Sequence, residues 1–440
     1  MNYLLKQLME YGTTEYQQYQ PGLGRMREML KRLGYPKRGI EFILVGGTNG
    51  KGSVARILHG LLWAQGLQVG LYTSPHLVRF NERIVVGNRE VTNATLEKVL
   101  RYFQKKKITG RPTFFELTTL LALEVFRRAR VKIAILEVGL GGRFDATNVV
   151  DPGLSVLVSV GHDHQEILGR GLEKIALEKI GIFRPGKLAL VGKVPGHVKR
   201  LIQDKAKQSK LCFLPKIESN FLESGRDSLN PSKGVSSSLF PLLKSYFPNS
   251  HIQRHNLALA LRALWFWQRG KYFPAQNILE EALRRIELPG RMEVRGNIVL
   301  DGAHNLEAAQ ALVKFLKKLS LRPRTLIRGK QSQTERLLRH KAPRNDKYIF
   351  LVGMATSKDR KKFINVIRPL AKKIIFTEFL HPRAVKLETW RREFKIRGAE
   401  YFRHPKSAYQ RLLNCRGKNI GVVTGSFYLV GILRSRTEIR

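Results

Sequence analysis

Short apolar runs alternate with helical stripes from residue 41 to about 200. Phe42–Val45, 131–136, 154–160 and 187–191 are nearly continuous apolar runs of strand length. Such runs are expected of strands buried on both faces, as in a parallel sheet. Between them apolar residues return at three- and four-residue spacing. Val54, Ile57, Leu58, Leu61 and Leu62 form one such stripe, the pattern of an amphipathic helix. The alternation predicts an α/β fold, a mostly parallel sheet with helices on its faces. Further helices are predicted at 253–268 and 275–286, after a loop-rich stretch at 216–250. Leu288-Pro289-Gly290-Arg291 breaks the pattern, and strand-like runs resume at 297–300, 348–352, 373–376 and 420–424. Two domains are therefore expected, 1–288 and a smaller α/β domain at 289–440. Residues 1–40 read as a helical lead-in interrupted at Gln20–Gly24, and 321–347 as a basic, solvated insertion.

In open α/β sheets ligands bind beyond the carboxyl ends of the strands, so the residues that follow each run matter most. The first run leads into Gly46-Gly47-Thr48-Asn49-Gly50-Lys51-Gly52-Ser53, and then into the helical stripe. A glycine-dense turn between a strand and a helix start cradles an anion, with backbone N–H groups and the helix dipole facing it. Gly50 and Gly52 would admit a phosphate closely, Lys51 would pair with its oxygens, and Ser53 would face a nucleotide or its metal. The spacing departs from the common P-loop, which needs Gly where Val45 stands and Ser or Thr where Gly52 stands. Glu137 closes the run at 131–136, where an acid beside a phosphate cradle is suited to Mg²⁺. Gly161-His162-Asp163-His164 follows 154–160, and Thr73-Ser74-Pro75-His76 follows the short run Val69–Tyr72. In the second domain Asp301-Gly302-Ala303-His304-Asn305 closes a strand in the same way.

Composition and hydropathy add three bounds. Cys212 and Cys415 are the only cysteines in 440 residues, too few for a disulfide framework, and a reducing, cytoplasmic setting is expected. No apolar run approaches the ~18 residues of a membrane span, and Met1–Glu10 lacks the apolar core of a signal peptide. The formal net charge is +45. Charge of this size favours anionic ligands and non-specific polyanion binding. The basic residues are spread along the whole chain with no nucleic-acid-binding motif, so no specific nucleic-acid partner is expected.

Taken in order, GTNGKGS, TSPHL with RFNERI, FFE, EVGLGGRFDATN, GHDHQE, LEKIGIFRPG, PGR, DGAHN, HPRA and GSFYLVG resemble folylpolyglutamate synthase and dihydrofolate synthase of the Mur ligase superfamily. The resemblance runs from about residue 20 to 435. It implies a P-loop-like Mur ligase central domain and a Rossmann-like C-terminal domain. It also implies a soluble, monomeric ligase with ATP, dihydropteroate or tetrahydrofolate, and L-glutamate as substrates. In such ligases ATP phosphorylates a carboxylate and the glutamate amine then attacks the acyl phosphate.

Carried over residue by residue, the resemblance assigns Thr48, Asn49, Gly50, Lys51, Gly52, Ser53, Asn256, Arg291 and Asp301 to ATP. Ser74, Glu137 and His164 match magnesium ligands, and Lys179 matches a lysine that the family carries as a carbamate. Gln20, Pro21, Gly22 and Leu23, then Phe114, Phe115, Glu116 and Leu117, then Phe144, Asp145 and Ala146 match the pteroate or folate site. His304 and Ser426 match positions on the glutamate side, and Lys51, Lys179 and His304 are the catalytic candidates. Arg79 and Arg83 are further candidates for substrate carboxylates, or equally for solvated surface cations. A bifunctional enzyme adding first and later glutamates is expected. The alternatives are a monofunctional folylpolyglutamate synthase and, from another class, a basic RNA-binding NTPase.

Overall fold

The computed structural model describes residues 21–35, 39–108, 112–213, 246, 250–268, 274–320, 348–417 and 419–434. Gln20, nearly all of the 216–249 stretch and the whole of 321–347 lie outside these residues. The chain divides into two compact units. Unit 1 is Met1–Pro248 with Ile252–Glu287, and unit 2 is Asn249–His251 with Leu288–Arg440.

Unit 1 is built on an eight-stranded sheet of order β4-β3-β2-β5-β1-β6-β7-β8. Its strands are β1 (Glu41–Gly46), β2 (Val69–Tyr72), β3 (Ile84–Val86), β4 (Arg89–Glu90), β5 (Ile133–Glu137), β6 (Pro152–Ser159), β7 (Leu188–Lys193) and β8 (Lys210–Phe213). β2, β5, β1, β6, β7 and β8 run parallel, and β3 and β4 add an antiparallel edge. β1 is central, and Phe42–Val45 are all buried because helices cover both faces. Four helices position the site: α1 (Gly24–Arg32), α2 (Lys51–Trp63), α3 (Phe114–Arg128) and α4 (Leu172–Ile180). A fifth, α5 (His251–Trp267), is buried along most of its length. The apolar stripe Val54, Ile57, Leu58, Leu61 and Leu62 is the buried side of α2.

Unit 2 carries a six-stranded sheet of order β13-β12-β11-β14-β10-β9. The strands are β9 (Glu293–Arg295), β10 (Ile298–Leu300), β11 (Tyr348–Val352), β12 (Ala371–Thr377), β13 (Glu400–Phe402) and β14 (Gly421–Thr424). All pairs are parallel except β9 on β10. α6 (Leu306–Ser320) follows β10 and α7 (Phe427–Arg434) follows β14. The unit has its own core, with Trp390 and Phe394 stacked near Phe376.

Candidate functional site

Parallel order brings the carboxyl ends of β2, β5, β1 and β6 side by side, and with them the residues that follow. The glycine turn after β1 is pinned to the end of β6. Ser159 Oγ donates to Asn49 O at 2.9 Å and accepts from Asn49 N at 3.0 Å. Thr48 Oγ1 donates to Gly161 O at 3.1 Å and accepts from Gly161 N at 3.0 Å. Each hydroxyl spends its donor and an acceptor on backbone, so the cradle is held open before any ligand arrives.

Gly50 caps α2 at φ +87°, a left-handed conformation that side chains disfavour. A Cβ there would stand 2.8 Å from Asn256 Oδ1, which places Asn256 of α5 against the turn. α2 has no side-chain cap and no acid in its first turn, so no carboxylate of its own competes with an anion for its N–H groups. Thr48, Asn49, Gly52 and Ser53 lie on this turn and helix start.

Two lysines converge on one carbonyl. Lys51 Nζ donates to Gly47 O at 3.0 Å and to Thr48 O at 3.2 Å, and Lys179 Nζ donates to Gly47 O at 3.1 Å. Lys179, on the buried side of α4, is 5% exposed. From periodicity alone it would pass for a surface lysine. Burial, and secondarily the Lys51 charge, lower its pKa to about 7. The ammonium form is thereby disfavoured relative to a lysine in water.

Glu137, the only polar residue of β5, is buried at the strand's end. Its Oε2 accepts from Ser74 N at 3.0 Å, so the structure joins two of the three expected metal positions. His164 stands beyond β6 at φ +51°, its N–H donating to Asp163 Oδ1 at 2.9 Å. Among the described residues there is no cluster of three His, Cys, Asp or Glu side chains. Ser74 and Glu137 still fit a hard cation of the Mg²⁺ type, which keeps several waters and shares a substrate phosphate.

The expected acceptor positions fall into three places. Pro21, Gly22 and Leu23 precede α1, and Gln20 lies outside the described residues. α1 is tied to α3 by Arg25, whose Nη2 and Nε meet Glu116 Oε1 at 2.9 Å and 3.1 Å. Glu116 also closes a capping box with Thr113, accepting from Thr113 N at 2.8 Å. Its carboxylate is thus a structural tie. Phe114 is 2% exposed, edge-on to Phe80 and beneath the Arg83 guanidinium at 5.0 Å. That ring packs the core. Phe115 and Leu117 are half-buried, and a Cβ at Gly139 would strike the Phe115 ring at 2.6 Å. Phe144 is 42% exposed, the aromatic face left open on the loop after β5. Asp145 is buried and accepts from Gly139 N, Leu140 N and Thr147 N, fixing that loop. Burial raises its pKa against those bonds. Ala146 is buried beside it.

Arg79 and Arg83 are placed differently from one another. Arg79 pairs with Glu90 at 3.0 Å on the surface. Arg83 is 2% exposed, its Nε donating to His76 Nδ1 at 2.9 Å, because aromatic rings rather than solvent surround it.

Unit 2 gathers its own candidates. Asp301 follows β10 and is buried, and burial raises its pKa to about 6 while N–H donors from Met292 (2.7 Å) and Ala303 (2.9 Å) oppose the shift. The Arg291 guanidinium lies 4.7 Å from the centre of the Phe427 ring. His304 Nδ1 donates to Gly302 O at 2.8 Å, and its ring meets Phe427 edge-on. Ser426 is buried, and its Oγ accepts from Tyr428 N at 3.1 Å at the start of α7. Asp359 caps the helix that begins at Arg360.

Sheet order, phosphate turn and strand-end acid together define a nucleotide-dependent ligase of the Mur type, and the Mur ligase middle domain matches residues 45–211. The dihydrofolate synthase/folylpolyglutamate synthase of Escherichia coli is 34% identical over 69% of this chain and 70% of its own. That of Bacillus subtilis is 29% identical over 95% of each chain. The chain belongs to the dihydrofolate synthase/folylpolyglutamate synthase family. Among solved structures, the bifunctional Yersinia pestis enzyme complexed with AMPPNP and a Mn ion superposes with a TM-score of 0.79 at 26% identity, covering 100% of this chain and 99% of that one.

Proposed function

We propose that this protein is an ATP-dependent amide ligase that joins L-glutamate to dihydropteroate and to tetrahydrofolate, so that one chain makes and then lengthens the glutamyl tail. The observation that carries the reading is the meeting of Lys51 and Lys179 on Gly47 O, in a cradle flanked by the Ser74–Glu137 pair. The bifunctional names of the relatives from Escherichia coli, Bacillus subtilis and Yersinia pestis support it.

In this reading the backbone of 48–53 and Lys51 hold the triphosphate of ATP, with Asn256 as a further contact. Phosphoryl transfer asks mainly for position and charge neutralisation. Magnesium, held by Ser74, Glu137 and His164, would supply neutralisation at the phosphates. The acceptor lies on Gln20–Leu23, the first turn of α3 and the Phe144–Ala146 loop. Its carboxylate takes the γ-phosphoryl group and releases ADP. The glutamate amine, with His304 and Ser426 on its side, then attacks the acyl carbon and phosphate leaves.

Lys179 acts as a carbamate. The ammonium first gives up one proton; the neutral amine then adds to CO₂, forming an N–C bond and releasing a second proton, so an anionic pair of oxygens replaces the cation. The lowered pKa supports this step, since only the free base reacts. We place the working enzyme in the cytoplasm as a monomer.

The test is ADP release with dihydropteroate or tetrahydrofolate, each with and without L-glutamate. Release that requires acceptor and glutamate together is expected with both acceptors. Activity with tetrahydrofolate alone would make the enzyme a monofunctional folylpolyglutamate synthase. Equal ATP turnover without glutamate would overturn the ligase reading.

A further inference from the structure

Asn148, which ends EVGLGGRFDATN, and Arg184, within LEKIGIFRPG, have no role in the reaction as described. In the structure they meet. Asn148 is buried, and its Nδ2 donates to Arg143 O at 2.9 Å and to Gly181 O at 3.0 Å. Its Oδ1 accepts from Arg184 Nη2 at 2.8 Å, and that nitrogen also reaches Asn148 O and Val150 O, both at 3.0 Å. Both amide donors are therefore spent on backbone and its oxygen on a cation. The guanidinium is partly buried, which lowers its pKa. Its Nη2 thus binds the far end of the loop after β5, while the Asn148 amide reaches across to the turn after α4.

These bonds close a contact in which backbone packs on backbone. Arg143 N donates to Glu178 O at 2.8 Å. A Cβ at Gly142 would stand 2.8 Å from both Glu178 O and Lys179 O, and one at Gly181 would stand 2.5 Å from Arg143 Cα. No side chain fits on either side. One side of the contact carries Phe144, Asp145 and Ala146. The other is the last turn of α4, with Lys179 reaching into the phosphate cradle.

We propose that Asn148 and Arg184 are positioning residues that lock the acceptor loop in register with Lys179. They thereby set the distance between the acceptor carboxylate and the phosphate site. The inference rests on the acceptor reading of Phe144–Ala146 given above. The reason is geometric. Transfer between two bound groups is steep in their separation, and a misplacement of about 1 Å costs on the order of 100-fold in rate. A loop after a strand would not hold such tolerance without ties of this kind.

The test uses the full-length enzyme with dihydropteroate. Asn148→Ala and Gly142→Ala should each lower kcat roughly 10- to 100-fold and raise the KM for acceptor. The KM for ATP should stay within about twofold, because the cradle is pinned to β6 and not to this loop. Arg184→Lys should retain more kcat than Arg184→Met. Val99→Ala, a buried change on another helix, serves as the stability control. The proposal is overturned if Asn148→Ala folds and keeps kcat within about twofold. It is equally overturned if Val99→Ala, at the same melting temperature, loses as much kcat. Should Asn148→Ala not fold, Gly142→Ala, which adds one methyl group, decides by the same criteria. A wild-type enzyme without acceptor- and glutamate-dependent ADP release would overturn the ligase reading and this inference with it. An active wild type with unaffected variants would overturn the inference alone.

Discussion

Lys179 shows how one side chain ties stability to chemistry. Its folded-state pKa is about 7, against an ordinary value of 10.5. Between those values the unfolded chain holds a proton that the folded chain has released. Folding stability therefore rises with pH across that window, and below about pH 7 the full cost of the buried ammonium is present. In CO₂-free buffer, Lys179→Met should be more stable than wild type near pH 6.5, and the difference should shrink as pH approaches 10. Denaturant midpoints of the two proteins across this range are the measurement, and a flat difference would contradict the assignment. Activity should move the other way. Lys179→Ala is expected to lose most of the ligase rate while remaining folded, and bicarbonate or short carboxylic acids should restore part of it. Lys174→Ala, exposed on the same helix, should leave the rate unchanged.

At the scale of elements, the start of α3 does two jobs. Thr113 caps the helix, with Oγ1 accepting from Glu116 N at 3.2 Å, and Glu116 completes the box while gripping Arg25 of α1. Thr113→Ala removes one cap bond, which typically costs about 1 kcal/mol. The expected readout is a fall of roughly 2–4 °C in the midpoint of thermal unfolding, with a raised KM for acceptor and an unchanged KM for ATP. An equal rise in both KM values would detach this turn from the acceptor site.

The same helix marks where local sequence stops determining contacts. The strands are legible because β1, β5, β6 and β7 are buried on both faces and so are nearly continuous apolar runs. The phosphate turn is legible because glycine, lysine and serine stand close together in sequence. Arg25 and Glu116 lie 91 residues apart, and nothing local announces that they meet. Phe114 and Phe115 are adjacent and chemically alike, yet one packs the core and the other is half-buried, a difference set by which face of the first turn meets Phe80. Asn148 and Arg184 are visible inside motifs, but their partnership is tertiary. Arg83 resembles a solvent-facing cation in sequence because its aromatic surroundings come from Phe80 and from Phe114, 31 positions along the chain.

For the molecule as a whole, the +45 formal charge sets how substrates arrive. ATP and folates bearing several glutamates are polyanions, and a strongly positive surface concentrates them and speeds their capture. That field is screened over about 8 Å at physiological ionic strength and about 3 Å at 1 M. In the proposed reading the cradle would meet phosphate oxygens through direct hydrogen bonds, which added salt weakens less than it weakens long-range attraction. Added salt should therefore act on encounter more than on the bound complex. KM for ATP and for polyglutamylated folates should rise between low salt and physiological salt, and kcat should change little. The rise should be steeper for a folate with several glutamates than for one with a single glutamate, since the field acts on each charge. Steady-state kinetics at several salt concentrations, with both folates, measure this directly. The same charge predicts weak RNA binding that fades with salt, as counterion release requires. No described helix is long and apolar enough to cross a membrane. Binding of a defined RNA sequence that persists at physiological salt, or RNA-stimulated ATP hydrolysis without glutamate, would show that the charge serves a nucleic acid instead.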